Sequence, residues 1–492
     1  MDESGTVVRK ARAGTPTITA IAAALRLLSL SPDRAGRSLA AALSRRAQDP
    51  AQRMFADWVH DYLAPGSPGA AYIGRLSRQV NPNVRKYALA GMIAGLFQNN
   101  RERRDQIFKE HGLLPPGLLA LSPSMRCNLR CAGCYAGNYD RKDDLPEDVV
   151  ERVITEAEEL GVWFFVLIGG EPFMWPSLLD VAERHRGSVF QVFTNGTLID
   201  DAVADRLARL GNVAPAVSIE GGRGPTDARR GPGTFDQAIA AMERLRDRGV
   251  MFSFSATATR SNLDEIVSDE FADLMIEKGA LYGWYFAYMP VGRDPDLSLM
   301  PTPEERDRLR RGVERLRKEK PILVADFWND GALTGGCLAA GRKYLHINNE
   351  GDIEPCVFCH FAVDNIKDTT LLDALKSPFF ADFRRLQPFG HNLLRPCPLI
   401  DHPGVTRRLV EKHGARPTHE GAESLVTSLA PGLQSYARGL RDVCGPVWEE
   451  EYGWVDTWLG GDAGYQRRRK AGGDAEFELG IDSIAESAAR PD

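Results

Sequence analysis

Val162-Trp163-Phe164-Phe165-Val166-Leu167-Ile168 is an uninterrupted apolar run, and Gly169-Gly170-Glu171-Pro172 ends it abruptly. A short run rich in aromatic and β-branched residues, closed by glycines, reads as a strand buried on both faces. The pattern extends in both directions. Upstream, residues 118–122 form a short apolar strand and residues 146–160 a helix with acids near its start. Downstream, helices at 175–186, 201–210, 235–247 and 263–278 alternate with strands at 189–193, 214–219, 251–258 and 283–289. Six strands alternating with helices, mostly at intervals of about 25 to 35 residues, imply a parallel sheet curled into a partial (β/α)6 TIM-like barrel, an α/β fold. Active sites of such barrels lie at the C-terminal ends of the strands, so the chemistry is expected just after each one.

The chain of 492 residues has room for about three domains. Residues 1–116 read as helical: Ile18, Ile21, Ala24, Leu25 and Leu28, and again Phe55, Trp58, Val59 and Tyr62, recur at helical spacing. Their apolar faces suit packing on one another and on the next domain; a lipid-facing surface is the alternative. The barrel is expected over 117–325, a small cysteine-bearing domain over 326–403, a helical region over 404–471, and a mobile tail over 472–492. Hydrophobic residues at 43% and charged residues at 26% exclude a wholly disordered, collagenous or multi-span membrane chain. A net charge of −6 argues against nucleic acid as an obligatory partner. Asp2, Glu3 and Arg26 spoil the apolar stretch 15–31 as an export signal, and 87–97 is too short for a transmembrane segment. A reducing cytoplasmic setting is therefore expected.

Seven of the eight cysteines fall in two groups. Cys127, Cys131 and Cys134 lie within eight residues, shortly after the first strand. Three such thiolates wrap three irons of a [4Fe–4S] cube and leave the fourth iron for a ligand. A zinc knuckle would want a fourth Cys or His nearby, and the sequence has none. In the second group, residues 344–347, the turn 348–352 and Ile353 read as a β-hairpin that brings Cys337 and Cys356 to one metal centre. Cys359 and Cys397 complete four-thiolate ligation, with structural zinc as the alternative. Cys444 stands alone, either a small buried hydrophobe or a thiol hydrogen donor.

The ungapped C-x3-C-x2-C motif, with Tyr135 after its third cysteine, resembles that of the radical S-adenosylmethionine (SAM) enzymes. The likeness covers about 118–289. Gly169, Gly170, Glu171 and Pro172 are similar to the family's GGEP turn, which holds the SAM amino group. Thr194-Asn195-Gly196 resembles its cofactor-lining turn, and Ser218 and Glu220 stand where the family has a Ser and an acid near the SAM ribose and carboxylate. Arg229 or Arg230, read as lying in a Gly-rich loop, is a candidate for clasping that carboxylate. The resemblance implies a [4Fe–4S] cluster that, once reduced, cleaves SAM to a 5′-deoxyadenosyl radical, which removes hydrogen from a substrate. The second group, Cys337-x13-Gly351-x4-Cys356 with Cys359 and Cys397, resembles SPASM and twitch domains, and four cysteines imply one auxiliary [4Fe–4S] cluster.

These expectations lead to a radical SAM oxidoreductase acting in biosynthesis on a small-molecule or lipid-like substrate, with flavodoxin or ferredoxin as electron donor. The alternatives are a redox-neutral epimerase using Cys444, a peptide maturase forming cross-links, and a non-catalytic iron–sulfur regulatory protein. Trp284, Tyr285, Phe286 and Tyr288 are candidates for the pocket lining, with about half of them expected to be core.

Overall fold

The structure, a computed structural model, describes residues 49–89 and 99–471, together with 41, 44, 45 and 47. The expectations for 15–31 and for the tail 472–492 lie outside the described residues, as does most of 87–97.

All six strands are present: β1 (Leu118–Leu121), β2 (Phe164–Leu167), β3 (Val189–Thr194), β4 (Val213–Ser218), β5 (Ser253–Ala258) and β6 (Tyr282–Ala287). Each pairs in parallel with its neighbour. A seventh parallel strand, β7 (Leu323–Asp326), extends the series by registering Tyr282 with Leu323 and Tyr285 with Asp326. It follows the highly charged helix Pro303–Glu319, which opens with a Thr302/Glu305 capping box. The auxiliary hairpin, β8 (His346–Ile347) and β9 (Ile353–Glu354), belongs to the same sheet, because β8 runs parallel to β1 and pairs Ala120 with His346. The order is β7-β6-β5-β4-β3-β2-β1-β8-β9. The small domain thus hangs from the open edge of the barrel, next to the strand that leads into the first cysteines.

Strand alternation separates two cores. Phe165, Phe190, Val192, Val217 and Phe254 face outward and pack with Val150, Val153, Leu207, Met242 and Met275 of the surrounding helices. The Phe165 and Phe190 rings stack at 5.3 Å; burial of each such ring contributes about 2–3 kcal/mol. Ala120, Val166, Ile168 and Phe193 face the lumen, together with Ala339 and Tyr344 of the small domain.

The N-terminal helices Pro50–Tyr62 and Pro68–Gln79 are capped by Asp49 and Ser67. Tyr72, Val80, Val84 and Ala88 pack on Ala214, Met251 and Leu281. The Asn81 amide donates to Gly249 O (2.9 Å), and its side chain donates to Arg248 O (3.0 Å). These contacts lie where β4, β5 and β6 begin, so the helices close the floor of the barrel, opposite the strand ends that carry the motifs. Among the described residues no helix is long and apolar enough to cross a membrane.

Candidate functional site

The cysteine loop and the Gly169–Pro172 turn are held together by backbone. Ile168 N donates to Leu121 O (2.9 Å), Gly170 N to Ser124 O (3.2 Å) and Glu171 N to Arg126 O (2.7 Å). A Cβ on Gly169 would sit 2.3 Å from Ser124 O, and one on Gly170 2.2 Å from Arg126 O. The glycines are therefore demanded by the cysteine loop itself, a partner the sequence did not reveal. Leu129 N donates to Cys127 Sγ (3.4 Å). Burial pushes the Cys127 thiol up to about 11, so its thiolate requires a compensating cation such as a metal. Ala132 N, between Cys131 and Cys134, donates to Arg229 O (2.8 Å).

Glu171 is fully buried. Its carboxylate accepts from Phe173 N (3.2 Å), Thr194 Oγ1 (2.7 Å) and Asn195 N (2.7 Å), while burial holds it above the ordinary carboxylate range. A carboxylate has about four acceptor positions. Two are spent on locking the β3 turn to the β2 turn and a third on Phe173 N within the β2 turn itself, and the remaining one matches a single bond from an ammonium group. Pro172 opens the short 3-10 turn Pro172–Met174. Asn195 Nδ2 donates to Asn128 Oδ1 (2.9 Å), and Asn128 Nδ2 to Thr197 Oγ1 (2.8 Å). Asn128, inside the cysteine motif, is a positioning residue that its sequence context did not disclose.

Ser218 ends β4 beside Ser255 of β5. Glu220 is buried and accepts from Arg229, from Arg230 Nε (2.8 Å) and from Thr257 N (2.9 Å). Burial alone would raise its pKa, but the two arginines outweigh it and hold the carboxyl below the usual range. Arg229 and Arg230 lie on the helix Arg223–Arg230, not in a loop. That helix was missed because glycine and proline dominate its start and it buries little beyond Thr226.

The structure brings the second group of thiols to one place. Cys337, Cys356, Cys359 and Cys397 all line one cavity of about 290 Å³, together with Trp284, Phe327 and other apolar side chains. Four thiols lining one apolar cavity suit a polynuclear iron–sulfur cluster, which fills a volume. Gly351, at φ +87°, makes the hairpin turn, where a Cβ would meet Asn365 Oδ1 at 2.7 Å. Ala339 N, Phe358 N and Leu399 N donate to Cys337, Cys356 and Cys397 Sγ at 3.5, 3.5 and 3.4 Å, and the Tyr344 hydroxyl lies 2.8 Å from Cys356 Sγ. Burial raises all four thiols, Cys337 to about 12 and Cys356 to about 11.

Residues 121–268 match the model of the radical SAM superfamily, and residues 337–398 match SPASM, an iron–sulfur cluster-binding domain. The mycofactocin maturase MftC of Mycobacterium tuberculosis (strain CDC 1551 / Oshkosh) is 30% identical over 296 residues, covering 55% of this chain and 75% of that protein. The chain belongs to the radical SAM superfamily. Other radical SAM relatives differ in what their names say they make: the AdoMet-dependent heme synthase of Methanosarcina barkeri (strain Fusaro / DSM 804) is 27% identical, covering 51% of this chain and 80% of that protein. Streptococcus suis SuiB bound to S-adenosylmethionine shares the fold, with TM-score 0.51 and 20% identity over 69% of this chain and 84% of that one.

The radical SAM cofactors are accordingly a [4Fe–4S] cluster with SAM in the barrel and iron–sulfur ligation in the SPASM domain. A buried polar network joins the two regions. Ser122, just past β1, hydrogen-bonds His346 Nε2 (2.7 Å), and His346 Nδ1 bonds Glu354 (2.6 Å). Glu354 also accepts from Tyr139 Oη (2.7 Å) and Thr418 Oγ1 (2.6 Å). Tyr135 packs edge-on against Phe358 at 5.4 Å, which places this motif aromatic between the two cysteine loops. Of the four aromatics near β6, Tyr285 and Tyr288 are core, whereas Trp284 lines the cavity and Phe286 stacks on it at 6.2 Å. Cys444 is buried in the helix Ala430–Glu451 among Leu440, Trp448 and Tyr452, and it is not part of the cavity lining.

Proposed function

We propose that this radical SAM enzyme catalyses the net oxidation of an organic substrate bound at the barrel mouth, where Trp284 and Phe327 face the auxiliary thiols. One observation carries the reading: all four auxiliary cysteines open onto the same apolar cavity as these lumen residues, so an electron acceptor there would be within reach of a substrate radical. When bound, SAM and the clusters supply the radical and redox chemistry. The chain supplies position and dryness. Cys127, Cys131 and Cys134 hold the first cluster, and the remaining acceptor position of Glu171 orients the SAM ammonium. Ser218 and the Glu220–Arg230 pair border the same strand ends, and Trp284, Phe327 and Trp328 exclude water from the reacting centre. Cys337, Cys356, Cys359 and Cys397 hold one auxiliary cluster.

A small metabolite is the favoured substrate class, because the described N-terminal helices Pro50–Tyr62 and Pro68–Gln79 sit on the barrel floor, away from the mouth. The likeness to MftC, a maturase by name, supports a peptide as the second reading. The test is an anaerobic incubation with SAM and reductant in D2O, offering a metabolite extract and a peptide fraction separately. A product two hydrogens lighter, without solvent deuterium, is expected from the metabolite fraction. A product of unchanged composition carrying one deuterium would show epimerisation and overturn the proposal.

A further inference from the structure

We propose that the surface cavity walled by Arg342, Lys343, Lys376 and Arg384 docks an acidic one-electron carrier protein that exchanges electrons with the auxiliary centre. The cavity, about 490 Å³, also includes His111, Leu113 and Leu114. Lys343 and Lys376 are exposed and Arg342 and Arg384 half-buried, and against these four basic side chains stand Asp462, 3.5 Å from Arg342, and Asp373, 4.0 Å from Lys376. The chain as a whole carries −6, so a basic rim stands out against the net charge and draws an acidic protein to this face. Leu114, 43% exposed within the basic rim, supplies the apolar contact that a small transient interface needs.

The wall of this cavity is also a wall of the auxiliary site. Arg342 Nη1 donates to the carbonyl of Cys337 (2.8 Å), and Lys343 O accepts from Gly117 N (2.9 Å), which fixes the loop that carries both cations and the ligand. A docked carrier would stand one hydrogen bond from a cluster ligand. In the exchange the reduced carrier loses one electron and the auxiliary centre gains it, or the reverse; no bond forms or breaks. The inference rests on the iron–sulfur assignment of the four thiols, not on the substrate proposed above.

The test compares holoenzyme with the K343E/K376E variant, which makes the rim net-negative, using reduced flavodoxin as the probe. The bimolecular rate of cluster reduction should fall at least tenfold at low ionic strength, with the gap closing as salt is raised. The rate with photoreduced deazariboflavin, a small neutral donor, should not change, and K343R/K376R should keep the wild-type flavodoxin rate. The first electron should appear in the auxiliary signal by EPR. Equal flavodoxin rates, a parallel loss with deazariboflavin, or an electron that enters only the barrel cluster would each overturn the docking proposal. A wild-type protein without auxiliary iron would instead overturn the ligand assignment beneath it.

Discussion

Replacing Glu220 with Gln removes the anion that pairs with Arg229 and Arg230 at the end of β4. The side chain of Glu220 is 1% exposed, and those of its partners are 16% and 11% exposed. Breaking a buried pair by removing one partner costs about 3–5 kcal/mol, because the remaining charge is left without compensation. The partial exposure of the arginines places this case near the lower end, about 3 kcal/mol, or roughly a hundredfold in a local opening equilibrium. Hydrogen exchange reads that opening directly, since Thr257 N donates to Glu220 and Gly231 N closes the helix Arg223–Arg230. In E220Q, protection of the segments containing Thr257 and Gly231 should fall about a hundredfold at pH 7. The pH dependence has a definite sign. The folded carboxyl is held below its ordinary value, so its contribution is complete above the unfolded pKa and is lost as pH falls through the folded one. The wild type should therefore approach E220Q only on the acid side. Protection unchanged within twofold at pH 7 would refute the pairing and free Arg230 for another anion.

Gly170→Ala should sharply reduce iron in the barrel cluster, because its Cβ would strike Arg126 O; the auxiliary iron should remain, and full barrel iron by analysis would contradict the packing argument. Tyr344→Phe removes a hydrogen bond to Cys356 Sγ, and a bond of about 1 kcal/mol that favours the electron-rich state is about 40 mV for one electron. The auxiliary potential should thus fall by that order in redox titration while the barrel potential stays. Iron should total about eight per chain and about four when Cys127, Cys131 and Cys134 are all Ala; zinc in place of the remaining iron would contradict the auxiliary assignment.

Much of this was legible because local signals agreed with the global fold. The apolar runs before Gly169, Thr194 and Ser218 are long enough to announce strands, and the cysteine spacings fix which thiols act together. β7 escaped notice because its first residue, Leu323, is exposed and its last, Asp326, is charged, so that no sustained apolar run marks it. The pairing of β8 with β1 joins residues more than two hundred positions apart, and two paired residues leave no periodic trace. The Ser122–His346–Glu354 network was equally hidden, since its members gain meaning only when that strand pairing brings them together. Cys444 carried an open question in the sequence, and its surroundings, Leu440, Trp448 and Tyr452, are those of a packing residue.

The central claim is that the Cys127 loop, the Glu171 turn and the auxiliary thiols form a SAM-cleaving redox enzyme. Its most direct test is the release of 5′-deoxyadenosine by anaerobically reconstituted protein given SAM and a strong reductant. The wild type should release it, and the variant with Cys127, Cys131 and Cys134 all replaced by Ala should release none. A protein with both clusters intact that never yields 5′-deoxyadenosine would contradict the account.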